Sequence, residues 1–260
     1  MDILDGLNQS QQEAVLYNDG PLIIFAGAGT GKTRVIVHKI AYLISQGVSP
    51  YSILGVTFTN KAANEMKNRV NLLVPGGSGA SVRLSTFHSF CAYFLRLEAS
   101  AINLDGNFLI YDFAEQKNII KECIKELQID EKKYKAGYLT DRISRAKDDL
   151  KSAADFYQEA EKGNNIVNIT VAGVYKLYQS KLEKAQVLDF GDLIMKTVEV
   201  LRNNPQILEK YQERFKYILI DEYQDTNRAQ YILTKTLASK YKNICVVGDP
   251  DQSVYSWRGA

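Results

Sequence analysis

One eight-residue segment, AGAGTGKT at 26–33, limits the fold more than any other part of this 260-residue chain. LIIFAG (22–27) reads as a strand running into it, and RVIVHKIAYLIS (34–45), apolar at helical spacing, follows it. A buried strand, a turn with three glycines and a helix must therefore succeed one another directly. That order is the first half of a β–α–β unit, which needs a parallel partner strand and a sheet covered on both faces.

The flanking sequence supplies what that unit needs. ILGVTF (53–58) and VRLST (82–86) read as strands. NKAANEMKNRVNLL (60–73), with Asn60 as its N-cap, and FHSFCAYFLRLEA (87–99) read as helices, the second turning Phe87, Phe90 and Tyr93 to the core. From Asp112 to Gln186 the strand pattern stops. Helical segments follow one another there, beginning with a capping box of Asp112 and Glu115 and continuing through YLTDRISRAKDDL, SAADFYQEAEK and VAGVYKLYQSKLEKAQ. The alternation then resumes with the helix DFGDLIMKTVEVLRNN, a helix begun by Pro205, the strand KYILIDE (216–222), the helix NRAQYILTKTLA and the strand NICVVGD (243–249). The expectation is an α/β domain with a parallel sheet, formed by residues 1–110 and 188–260 and interrupted by an all-helical insertion at 111–187.

Three of these strands end in polar clusters: AGAGTGKT, DEYQD and GDPDQ. Ligands of open parallel sheets bind at the C-terminal strand ends, so the clusters meet if the strands are neighbours. In the first, the backbone of Ala26, Gly27, Ala28, Gly29, Thr30 and Gly31 can wrap a phosphate with its N–H groups inward, at the positive end of a helix. Lys32 would reach the β- and γ-phosphates and the Thr33 hydroxyl would bind Mg²⁺. The pattern G-x-x-x-x-G-K-[ST] is met except at its first position, where Ala26 stands. In ILIDEYQD, Asp221 would hold the metal and Glu222 would orient and deprotonate an attacking water. Together these predict an ATPase using ATP and Mg²⁺.

Composition excludes several other classes. The chain is 45% hydrophobic and 24% charged with a net charge of +2, as in ordinary globular proteins. Cys91, Cys123 and Cys245 are far apart, only two histidines are present, and no CxxC occurs, which argues against a zinc site or a disulfide framework. The N-terminal residues lack a signal-peptide pattern and the apolar runs are too short to span a bilayer, so a cytoplasmic protein without a membrane partner is expected.

The ordered motifs now on the page resemble those of UvrD/Rep/PcrA-like superfamily I DNA helicases, over essentially the whole chain. LNQSQQEAV (7–15), TFTNKAANEMKNR (57–69), STFHSF (85–90), LDFGDL (188–193), DEYQDTN (221–227) and GDPDQSVYSWRG (248–259) carry the resemblance. That family also tolerates Ala at position 26. The resemblance implies a RecA-like lobe, adenine read by Gln11 with Arg34 packed nearby, and Gln252 sensing the γ-phosphate. It also implies single-stranded DNA held by Phe58, Phe190, Tyr255 and Trp257 through base faces and by Thr59, Asn60, His88 and Arg258 through polar contacts, with duplex junctions as a further partner. A second RecA-like lobe would follow in the same parent chain, and movement would run 3′→5′. By residue type alone core is the favoured reading of Phe58 and a hydrogen-bonded structural histidine that of His88, while Tyr255 also fits packing on a helix and Arg34 a solvated cation. Other readings share the phosphate-binding turn: an ATPase subunit of a nuclease-coupled repair helicase, a P-loop kinase, and a non-enzymatic nucleotide-dependent DNA-binding module. The Lys and Glu of the insertion are expected to form a solvated face, with a contact to duplex DNA as the alternative.

Overall fold

The computed structural model describes residues 3–18, 20–27, 29–249 and 251. The chain runs α1 (Gln9–Leu16), β1 (Leu22–Phe25), α2 (Lys32–Ser45), β2 (Ile53–Thr57), α3 (Asn60–Leu73), β3 (Arg83–Thr86), α4 (Phe87–Leu97) and β4 (Leu109–Tyr111). It continues through α5 (Phe113–Glu126), α6 (Ala136–Asp148), α7 (Ala153–Lys162), α8 (Ile166–Ala185), β5 (Val187–Asp189), α9 (Phe190–Asn203), α10 (Pro205–Arg214), β6 (Tyr217–Ile220), α11 (Arg228–Ala238) and β7 (Ile244–Gly248).

Five strands form one parallel sheet in the order β1-β7-β6-β2-β3. The period of two along each strand divides the core. Leu54 and Val56 of β2, Ile218 and Ile220 of β6 and Val246 of β7 pack with α4, α9, α10 and α11. Ile53, Leu219, Cys245 and Val247 face the other way, against α2 and α3. Phe87, Phe90 and Phe94 of α4 are at most 2% exposed, and burying one such ring contributes about 1.5–3 kcal/mol. Tyr93, expected beside them, is only half-buried. It lies under the Arg83 guanidinium, 3.8 Å from the ring centroid, in a cation–π contact.

Two elements absent from the sequence expectation frame the helical segment. β4 and β5 pair in parallel, with Tyr111 opposite Asp189, so the chain leaves and re-enters the α/β layer side by side. Each has three residues, too short for a recognisable alternation. Between them α5, α6 and α8 enclose their own core, including Ile120, Leu139, Val174 and Tyr178. The capping box of Asp112 and Glu115 begins α5 as the sequence indicated. α3 differs: its N-cap is Thr59, not Asn60. Thr59 is extended (φ −124°, ψ 146°) and its hydroxyl accepts the Ala62 N–H, whereas Asn60 is already helical.

α1 was also unforeseen. Its segment QSQQEAVL buries only Val15, so it carries little apolar periodicity. It is held by its ends instead. Asn8 and Gln11 form a capping box, and buried Lys39 of α2 donates to the carbonyls of Ala14, Val15 and Tyr17. Among the described residues, no helix is long and apolar enough to cross a membrane.

Candidate functional site

Because β1, β7 and β6 are neighbours, the three polar clusters following them lie together. After β1, the Ala26 N–H still donates to Gly248 O (3.1 Å), extending the ladder, and the exposed Gly27 follows. The chain then turns through Gly29 (φ 71°) and Gly31 (φ 87°), left-handed positions that glycine takes without strain. Thr30 Oγ1 donates to Gly27 O at 2.7 Å and closes the loop. Gly31 is the N-cap of α2 and offers no side-chain acceptor, which leaves the first helical N–H groups available to an anion.

The next two residues reach across the sheet. Thr33 Oγ1 donates to Asp221 Oδ2 at 2.8 Å. Lys32 Nζ stands 3.8 Å from both Glu222 Oε2 and Asp249 Oδ2, with Lys32 and Asp249 buried. Asp221 is 2% exposed, and burial pushes its carboxyl above the usual carboxylate range despite the opposing Thr33 hydroxyl. One ammonium among three carboxylates leaves the pocket formally anionic, so a polyphosphate would enter most readily with a divalent cation. The Thr33 hydroxyl and Asp221 carboxylate are hard oxygen donors of the kind Mg²⁺ takes. Among the described residues no three acidic, histidine or cysteine side chains cluster as a metal cage.

Glu222 has φ 54°, a left-handed conformation rare for a non-glycine residue. Gln224 holds it in place: its Nε2 donates to Glu222 Oε2 (2.7 Å) while its Oε1 accepts the Asp249 N–H (3.0 Å). Gln224 thus ties the second cluster to the third. Sequence reasoning passed over it, although its place inside DEYQD was the available signal. A Cβ on Gly248 would fall 2.8 Å from Gln224 Oε1, so glycine there permits the approach.

Gln11 also meets the loop. Its Nε2 donates to Thr30 O (2.9 Å) and its Oε1 accepts the Asn8 N–H (3.0 Å). Arg34, exposed on the first turn of α2, lies over Gly6, where an added Cβ would sit 2.5 Å from its Nη2. Ala28 and Gln252 fall outside the described residues.

A second group of expected residues collects at the ends of β2, β3 and β5. Phe58 is half-buried and meets Phe87 edge to face, with centroids 5.6 Å apart. Thr59 and Asn60, next along the chain, are exposed. His88 meets Phe190 edge to face at 5.5 Å, and Phe190 is 47% exposed. Tyr255, Trp257 and Arg258 lie outside the described residues.

Residues 7–260 match the family described as UvrD/REP helicase N-terminal domain. Two proteins named ATP-dependent DNA helicase PcrA, from Staphylococcus aureus and Staphylococcus epidermidis, are each 50% identical to this chain over 259 residues. The match covers 99% of this chain and 35% of each relative, so the chain spans about a third of their length. The five-stranded parallel sheet with its flanking helices agrees with the RecA-like lobe of such helicases. With half of its residues identical over nearly its whole length, this chain belongs to the UvrD/Rep helicase family, through that family's N-terminal domain.

Proposed function

We propose that the chain is the ATP-binding, DNA-gripping N-terminal portion of an ATP-dependent DNA helicase. The observation that carries this reading is the meeting of three clusters at adjacent strand ends: Thr33 bonded to Asp221 at 2.8 Å, and Lys32 set between Glu222 and Asp249. A solvated acidic turn after a strand would not bury Asp221 or aim a threonine hydroxyl at it.

In this reading the glycine turn and the start of α2 bind the phosphates, and Lys32 exchanges its carboxylate neighbours for phosphate oxygens. Thr33 and Asp221 would hold Mg²⁺, which supplies neutralisation of charge on the transferring phosphoryl group. Glu222, fixed by Gln224, takes a proton from the water whose oxygen attacks the γ-phosphorus as the bond to ADP breaks. Gln11 and Arg34 flank the adenine side. Gln252 would report the γ-phosphate to Tyr255, Trp257 and Arg258. Phe58, Thr59, Asn60, His88 and Phe190 form the described part of the single-stranded DNA track.

The divisions 1–110, 111–187 and 188–260 are proposed as two parts of one RecA-like lobe and its helical insertion. The pairing of β4 with β5 supports a narrow neck at the insertion. The remaining length of the relatives would provide the second lobe, and the parent protein would move 3′→5′ towards duplex junctions in the cytoplasm.

The test is ATP hydrolysis by the parent protein with and without poly-dT. Stimulation by poly-dT, together with loss of turnover but retained ATP binding in Glu222→Gln, is expected. Turnover indifferent to poly-dT and raised by a small phosphoacceptor would replace the helicase reading with a kinase.

A further inference from the structure

α5 carries an exposed face that the family motifs leave unassigned. Its first residue, Phe113, is 59% exposed, more than Phe190, and its ring has no aromatic neighbour among the described residues. Each of the two phenylalanines is the first residue of the helix that follows its strand, but by the strand register Phe190 is level with Asp112 and Phe113 comes one residue later. β4 and β5 are parallel neighbours with Tyr111 opposite Asp189. Each strand passes straight into an acidic N-cap, and each helix then opens on an exposed phenylalanine. Phe113 thus follows the strand that neighbours the one leading to Phe190, whose ring meets His88.

Charge along the same helix is sorted by face. Lys117, Lys121 and Lys125 follow Phe113 at steps of four, which sets successive residues about 6 Å apart along one side of the helix. All three are exposed, and among the described residues none forms an ion pair. The acids of the helix are occupied elsewhere: Glu115 closes the capping box, while Glu122 and Glu126 meet Lys181 of α8 at 3.7 and 2.9 Å. What remains is one bare aromatic ring leading to three unpaired cations. That combination suits a single strand, with a base on the ring and its phosphates along the lysines. The acidic cap Asp112 beside Phe113 disfavours a phosphate at the ring itself, so the ring takes a base face.

We infer that single-stranded DNA leaving Phe190 stacks a base on Phe113 and runs its phosphates along Lys117, Lys121 and Lys125, so that the insertion is part of the strand track. This rests on the DNA reading proposed above.

Fluorescence anisotropy of a labelled dT oligomer with the 260-residue chain, across a salt series, separates the two roles. Phe113→Ala is expected to weaken binding by about 5- to 100-fold, with the slope of log K against log[salt] unchanged, and Phe113→Trp to restore affinity. Changing Lys117, Lys121 and Lys125 together to Gln is expected to flatten that slope by about 2, at roughly 0.7 for each phosphate no longer neutralised. Circular dichroism melting establishes that the variants are folded. Normal affinity in Phe113→Ala alongside weakened Phe190→Ala would remove α5 from the track and leave the DNA reading standing. An unchanged slope in the lysine variant would show that these lysines do not meet phosphates. An equal loss of affinity for duplex DNA in Phe113→Ala would make this a duplex surface and overturn the single-strand assignment. No binding of dT by the unaltered chain would overturn the DNA reading itself.

Discussion

The Lys147 ammonium lies 2.7 Å from the Asp189 carboxylate, and both side chains are almost wholly buried. Lys147 comes from α6, in the helical segment between β4 and β5, while Asp189 ends β5 and caps α9, whose first residue is Phe190. Asp192 is 2.8 Å from the same ammonium, and the Tyr178 hydroxyl donates to Asp189 at 2.8 Å. Burial alone would push Asp189 upward, but the Lys147 charge overrides it and holds the carboxyl below the usual range. The site also explains Gly191, where a Cβ would lie 2.8 Å from Lys147 Cδ.

Removing the cation strands two buried carboxylates. Lys147→Met is therefore expected to cost about 3–5 kcal/mol in urea unfolding. Adding Asp189→Asn and Asp192→Asn should recover much of that loss, since the asparagines keep the α9 cap without a buried charge. A loss below about 1 kcal/mol in the single variant would show that the network is not holding α6 against β5 and α9.

Asp221 has the opposite balance. Its raised pKa means the folded state holds this proton more tightly than the unfolded chain, so the ligand-free fold loses stability as pH rises through the folded value. Asp221→Asn cannot ionise and still accepts from Thr33. At neutral pH it should gain about 0.5–2 kcal/mol, a gain that disappears below the ordinary carboxylate range, while Mg²⁺-dependent ATP binding is lost. Thermal melts at pH 7 and pH 3.5 measure both arms. Equal stability of the two proteins at pH 7 would refute the assignment.

Much of this candidate site is legible in the sequence. Gly29 and Gly31 answer a local backbone need, Lys32 and Thr33 follow at a fixed offset from them, and Asp221 and Glu222 stand at the end of an apolar strand, so residue type and offset suffice. Gln224 and Lys147 act through partners distant in space, Asp249 for one and Asp189 for the other, and no local pattern encodes such pairs. α1, β4 and β5 were missed for a related reason. They are short and anchored by end contacts and pairing, not by an apolar period. Asn60 lost the cap to Thr59 because either residue type can cap, and only the backbone dihedrals decide.

Gln224 should affect turnover more than binding. Gln224→Ala releases the Glu222 carboxylate and leaves the Asp249 N–H without its side-chain acceptor, while the phosphate loop is untouched. In the parent protein, kcat is expected to fall at least about tenfold, which corresponds to roughly 1.4 kcal/mol, with KM for ATP nearly constant. A rise in KM at unchanged kcat would place Gln224 in ground-state binding instead.

The central claim is that Lys32, Thr33 and Asp221 form one Mg²⁺-dependent ATP site at the ends of β1 and β6. Equilibrium titration of the 260-residue chain and its Lys32→Ala variant with ATP, in Mg²⁺ and in EDTA, tests it most directly. The account predicts saturable binding that requires Mg²⁺ and weakens at least about tenfold in Lys32→Ala, a loss of roughly 1.4 kcal/mol. Binding of equal strength in the variant, or undiminished binding in EDTA, would contradict it.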